Sequence, residues 1–169
     1  MEEEVCGDDV RFMREALAEA QRAFDAGEVP IGAVAVENGV VTARGYNRVE
    51  ELSSVSGHAE FQVLKELERL YGDWRMQNIT LYVTKEPCFM CAGMIVNARF
   101  KRVVFGLNDP KTGGCGGSIN IPAHQENLWH PEVTGGILAD ESKQLIRTFF
   151  QKRRKEQTKQ SAECACTDN

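Results

Sequence analysis

Two short segments hold residue types that bind metals and move protons: Gly57-His58-Ala59-Glu60 and Glu86-Pro87-Cys88-Phe89-Met90-Cys91. Cys88 and Cys91 are three residues apart, so in the first turn of a helix both sulfurs leave one face and can hold a single ion. Pro87 suits that opening, because a proline in a first turn forfeits no hydrogen bond. His58, at the amino end of a second expected helix, can supply a third ligand. Three protein ligands leave the fourth tetrahedral position to water, the arrangement of a catalytic zinc and not of a structural one. Glu60, two residues past His58, can stand near that water without ligating the metal. Alone, neither segment is specific: His-x-Glu arises by chance, and Cys-x-x-Cys also serves as a redox pair or as two core cysteines. The pair of motifs is far more specific than either.

Helices and strands must bring these segments together. Between Asp9 and Ala26 the apolar residues Met13, Leu17, Ala20 and Phe24 recur at helical spacing, with Gly27 following, which predicts an amphipathic helix capped by Asp9. Ile31–Val36 and Val40–Tyr46, joined by Asn38-Gly39, read as a β-hairpin. A helix over 58–71, a strand at Ile79–Val83, a helix from about Pro87 to Ala98 and a strand at Val103–Phe105 follow. Alternating strands and helices give crossover units with parallel pairing. The expected fold class is α/β: a three-layer α/β/α arrangement with a mixed central sheet flanked by helices. Residues 107–136, rich in glycine and proline, read as a long structured loop. A last helix begins after Asp140 and buries Leu145, Ile146, Phe149 and Phe150. The polar residues 158–169 read as a disordered tail.

The chain of 169 residues is 42% hydrophobic and 27% charged with six cysteines, proportions that exclude a disulfide-stapled miniprotein, wholesale disorder and a membrane-spanning protein. Met1-Glu2-Glu3-Glu4 resembles no secretory or transit signal, which leads to a cytoplasmic expectation, an organelle remaining open if a transit peptide had been removed. In that reducing setting the cysteines read as thiols or metal ligands. The net charge of −5 argues against a polyanionic partner only until it is located. Five acids lie in residues 1–9, and the remainder carries twenty acids against twenty bases. Residues 143–160 hold seven bases against Glu156 alone, a local field able to recruit phosphates. The chain therefore divides into an acidic extension (1–8), a domain (9–157) and the tail (158–169). Removing residues 1–9 is expected to spare catalysis and to strengthen phosphate binding at low salt.

His-x-Glu followed by Pro-Cys-x-x-Cys resembles the signature of the cytidine/deoxycytidylate deaminase superfamily, whose zinc chemistry is a standard case of deamination. Glu28-Val29-Pro30-Ile31-Gly32-Ala33-Val34, Gly45-Tyr46-Asn47-Arg48, Val103-Val104-Phe105-Gly106, Asp109-Pro110-Lys111-Thr112-Gly113 and Gly136-Ile137-Leu138-Ala139-Asp140-Glu141 sharpen the likeness. Over residues 10–155 the sequence is similar to the bacterial-type tRNA-specific adenosine deaminase family. The resemblance implies a cytidine-deaminase-like fold and one Zn2+ per subunit, held by His58, Cys88 and Cys91. It also implies a polarised water that attacks C6 of adenosine, and Glu60 as the catalytic proton shuttle. The product would be inosine at the wobble position (34) of a tRNA anticodon loop, where an unpaired base can be splayed into a pocket. Asn47, the backbone amide of Ala59, Val29 and Pro30 would contact the base, and Lys111 with Lys152, Arg153 and Arg154 the phosphates or loop. A homodimer with no membrane and no organic cofactor is implied. Two other readings stay open: a superfamily deaminase acting on free guanine, cytosine or a nucleoside, and a non-catalytic zinc scaffold that binds tRNA. Cys164-Ala165-Cys166 reads either as a soft-metal pair or as two idle thiols in a polar terminus, Cys6 and Cys115 carry no assigned role, and His124 and His130 have no ligand spacing.

Overall fold

The computed structural model describes residues 7–165; Glu2–Glu4, Cys6 and Cys166 lie outside them. In chain order the elements are α1 (Gly7–Asp25), β1 (Gly32–Glu37), β2 (Val40–Tyr46), α2 (Val49–Leu52), a 3-10 turn at Val55–Gly57 and α3 (Ala59–Tyr71). They continue with β3 (Thr80–Lys85), α4 (Phe89–Asn97), β4 (Arg102–Leu107), β5 (Glu132–Thr134) and α5 (Ala139–Ala165). The five strands lie in the order β2-β1-β3-β4-β5, antiparallel from β2 to β3 and parallel from β3 to β5. The crossover through α3 thus lands β3 beyond β1 and not against β2, so parallel pairing begins only at β4. Asn38 and Gly39 both adopt positive φ, 50° and 76°, the two-residue turn that matches strand twist.

Alternation along the strands builds two cores. Ala33, Ala35, Leu81, Val83, Val103 and Phe105 pack with α3 and α4, whereas Val34, Val36, Tyr82 and Val104 pack with Phe12, Met13 and Ala16 of α1. With α5 against β3, β4 and α1 on that second face, the layers are α/β/α. Among the described residues no helix is long and apolar enough to cross a membrane.

Four expectations change. First, α1 begins at Gly7, placing Asp9 inside the helix, and its buried face runs through Phe12, Met13, Ala16, Ala20 and Ala23, leaving Leu17 and Phe24 only half-buried. The cause is close approach: a Cβ on Gly32 would stand 2.2 Å from Ala16 O and from Ala20 N, so the contact requires alanines and a glycine. Gly32→Ala is therefore expected to destabilise the protein by about 1–3 kcal/mol or more, read as a lowered urea midpoint. Second, residues 107–136 contain the short strand β5. Third, α5 buries Phe149 but leaves Leu145 and Ile146 half-exposed and Phe150 exposed, since only part of its apolar stripe faces β4 and α1. Fourth, α5 continues past Gln157 to Ala165, no glycine or proline interrupting 158–165.

Asp9 also ties the layers together. Both Arg102 Nη atoms donate to its two carboxylate oxygens at 2.8 Å, Tyr82 Oη donates to Oδ1 at 2.8 Å, and Arg102 Nη2 reaches Thr134 Oγ1 at 2.8 Å. One polar cluster thereby joins α1, β3, β4 and β5.

Candidate active site

The carboxyl ends of β2, β3 and β4 and the start of β1 share one edge of the sheet, and the chain turns there into α3 and α4. His58 is the N-cap residue of α3 and Cys88 that of α4, with Cys91 one turn further on. Both helix amino termini therefore point their positive ends at the same spot, which favours thiolates. His58 Nδ1 lies 3.3 Å from Cys91 Sγ and 3.7 Å from Cys88 Sγ, and donor atoms of the three residues fall within 4.8 Å of one another. A tetrahedral zinc with bonds of about 2.3 Å to sulfur and 2.0–2.1 Å to nitrogen needs N···S separations of roughly 3.5 Å. The donor set, one borderline nitrogen and two soft sulfurs, fits zinc in both chemistry and spacing. Among the described residues no other group of His, Cys, Asp and Glu converges in this way.

Glu60, 4% exposed, sits one residue into α3 beside these ligands. Burial pushes its carboxyl above the usual carboxylate range, so it holds a proton readily. The hydrogen bond with Cys91, followed by that with His58, holds the Cys88 thiol down to about 3, outweighing its burial. Cys91 is pushed up by the hydrogen bond it shares with Cys88 and by burial. His58 is raised, chiefly through its hydrogen bond with Cys88.

These groups border a cavity of about 310 Å³. A larger cleft of about 870 Å³ borders the opposite ends of β3 and β4, but its polar groups Asp9, Tyr82 and the half-buried Arg102 are engaged with one another. The smaller cavity is the one with reactive groups converging on it.

Comparison with known proteins fixes the lineage. Residues 7–154 match the model of the MafB19-like deaminase family. The tRNA-specific adenosine deaminase of Bacillus subtilis (strain 168) is 45% identical over 148 residues, 87% of this chain and 91% of its own. The chain belongs to the tRNA-specific adenosine deaminase family. A solved structure from work on A-to-I editing by tRNA:A34 deaminases superposes with a TM-score of 0.77 at 40% identity, over 80% of this chain and 98% of that one. Guanine deaminase from Bacillus subtilis is 33% identical, with a TM-score of 0.54 over 57% of this chain and 62% of its own. The cytidine-deaminase-like fold follows from these likenesses and from the layered sheet.

Within this deaminase fold, His58, Ala59, Glu60, Cys88, Asn47 and Val29 all line the cavity, and Cys91 is buried behind it. Pro30 is buried without lining it, its neighbour Ile31 facing the space instead. Lys111 is exposed next to the lining residue Thr112. Arg153 lies on α5 with its guanidinium 6.0 Å from the centre of the Phe149 ring, and Lys152 Nζ stands 5.5 Å from the centre of Phe24. This puts the basic turn of α5 against the last turn of α1, which leads into Glu28–Ile31. His124 and His130 take part in hydrogen bonds within their own loop.

Two buried carboxylates carry no motif of their own. Glu28, 3% exposed, accepts from Glu50 N at 3.2 Å, Glu51 N at 2.8 Å and Asn47 Nδ2 at 3.4 Å, which orients Asn47 toward the cavity. Glu86, 2% exposed, accepts three backbone amides from the loop after β4. Their adjacency to Val29-Pro30 and Pro87-Cys88 was the available signal, but an acidic residue at a motif edge reads as a solvated one.

Proposed function

We propose that residues 9–157 form a zinc-dependent deaminase that converts adenosine 34 in a tRNA anticodon loop to inosine. The observation that carries this reading is the convergence of His58, Cys88 and Cys91 beside the buried Glu60, in a chain 45% identical to a curated tRNA-specific adenosine deaminase. His58, Cys88 and Cys91 would hold Zn2+, which when bound supplies the Lewis acidity that brings a water toward a pKa of about 7. Glu60 takes a proton from that water and passes it to N1 of adenine as the oxygen attacks C6. Glu60 then takes the remaining proton from the hydroxyl added at C6 and delivers it to the amine, so that the C6–N bond breaks and ammonia leaves. Water and adenosine give inosine and ammonia with no change of redox state, so no organic cofactor is required.

A cavity of about 310 Å³ suits one extruded base, in keeping with an anticodon loop. Asn47, the amide of Ala59 and Val29 would hold the base, with Ile31 on the wall where Pro30 was expected. Lys111 and Arg153 would meet phosphates of the loop. A homodimer would cover exposed apolar side chains such as Phe89 and Met90 at the start of α4, next to Cys88 and Cys91 in the chain. A tRNA substrate places the protein in the cytoplasm or in an organelle with its own translation.

Incubation of the purified chain with total tRNA, followed by anticodon sequencing, is expected to show guanosine-like reads at position 34 in place of adenosine. Ammonia release is measured in parallel on free adenine, guanine and cytosine. Turnover confined to a free base would favour the guanine-deaminase likeness. Binding of tRNA without turnover by a zinc-loaded chain would favour the scaffold reading.

A further inference from the structure

We infer that Glu86 is a positioning residue that fixes the substrate-facing wall at Thr112 relative to the ligand-bearing turn at Cys88. The inference rests on the deaminase reading above. Glu86 opens the link between β3 and α4, two residues before Cys88. Its Oε2 accepts from Asp109 N at 2.7 Å, and its Oε1 from Cys115 N at 3.0 Å and Gly117 N at 2.8 Å. A carboxylate is an acceptor only, and here both oxygens are used on backbone amides of one loop.

The loop is wrapped around this carboxylate at van der Waals distance. A Cβ on Gly113 would lie 2.3 Å from Glu86 Cδ, and one on Gly117 2.3 Å from Oε2. Gly114 N donates to Pro87 O at 2.8 Å, and Gly113 pairs with Cys88 in an isolated bridge. From Glu86 the order passes on to the cavity. Asp109, anchored by its amide, accepts from Thr112 Oγ1 at 2.6 Å, from Thr112 N at 3.2 Å and from Lys111 N at 3.0 Å, and pairs with Lys85. Thr112 is the one residue of this loop that lines the cavity. Glu86 itself borders the cavity, but both of its oxygens are engaged by loop amides, so it acts on the substrate through Asp109 and Thr112, and its loss would loosen the wall while leaving His58, Cys88 and Cys91 in place.

Glu86→Gln tests this, because the isosteric amide replaces one acceptor oxygen by a donor that must oppose an N–H. In the full-length protein the expected result is one zinc per chain, an exchange increase confined to amides 109–117, and a KM for an anticodon stem-loop raised at least tenfold with a smaller change in kcat. Thr112→Ala should also raise KM, and the double variant should be no worse than Glu86→Gln, since both act through one contact. Additive effects, an unchanged KM, or an exchange increase spread over the whole sheet would overturn the proposal. Gly117→Ala, which displaces the loop with Glu86 intact, serves where Glu86→Gln fails to fold and should give the same KM rise. Absence of turnover in the wild-type protein would remove the substrate reading instead, and the zinc and exchange measurements would still decide the role of Glu86.

Discussion

Glu60→Gln should lower inosine formation by about 10³–10⁴-fold, the upper range for a group that both accepts and donates protons in one reaction. Glutamine keeps the shape and loses the transferable proton. Because Glu60 is not among the three converging donors, metal analysis should still give one zinc per chain, whereas Cys91→Ser should lose it. The substitution should not lower thermal stability, since burial already disfavours the charged form of this carboxyl. Single-turnover assay on an anticodon stem-loop, with zinc content and melting temperature measured on the same sample, gives all three quantities. A residual rate within tenfold of wild type would end the assignment of Glu60 as the proton carrier.

Asp9→Asn is expected to cost about 2–3 kcal/mol, the largest single effect on stability outside the apolar core. Breaking a fully buried ion pair costs about 3–5 kcal/mol. The Asp9 and Arg102 side chains retain 7% and 24% of their exposure, so the figure falls below that range. Burial works to raise the Asp9 carboxyl, but the hydrogen bonds from Arg102 and Tyr82 outweigh it and hold it below its ordinary value. A carboxyl lowered by folding stabilises the protein above its unfolded pKa, near 3.8, and that stability is lost as pH falls through the folded value. Urea unfolding of wild type and Asp9→Asn should accordingly differ at pH 7 and converge below pH 3.8; a constant difference would show that the asparagine substitution destabilises for some reason other than charge. The consequence for truncation is direct. Deleting residues 2–7 is expected to spare the fold, while a deletion through Asp9 removes a buried ion-pair partner and should destabilise it, contrary to what the charge count alone suggests.

The convergence of His58, Cys88 and Cys91 was readable because it is local. Cys88 and Cys91 share a face by helical geometry, His58 and Glu60 lie one residue either side of Ala59, and each pair needs only its own helix to form. Asn38-Gly39 was readable for the same reason, a two-residue turn being set by its own backbone preferences. By contrast β5, three residues without a buried side chain among Glu132, Val133 and Thr134, has no periodicity to detect, and it exists because β4 offers it a parallel edge. The buried face of α1 departs from expectation because large apolar residues outweigh alanines in a periodicity, and the value of a small residue appears only once Gly32 is known to lie beneath it.

Spacing within a turn thus determines which atoms can share an ion. Which carboxylates turn inward is settled by contacts across the chain: Asp9 meets Arg102 at a separation of 93 residues and Glu86 meets Cys115 at 29. Such an acid is indistinguishable in sequence from the solvated ones beside it. Its role comes from the donors that folding brings to it, since a buried carboxylate is tolerated only where N–H groups replace the water it has lost.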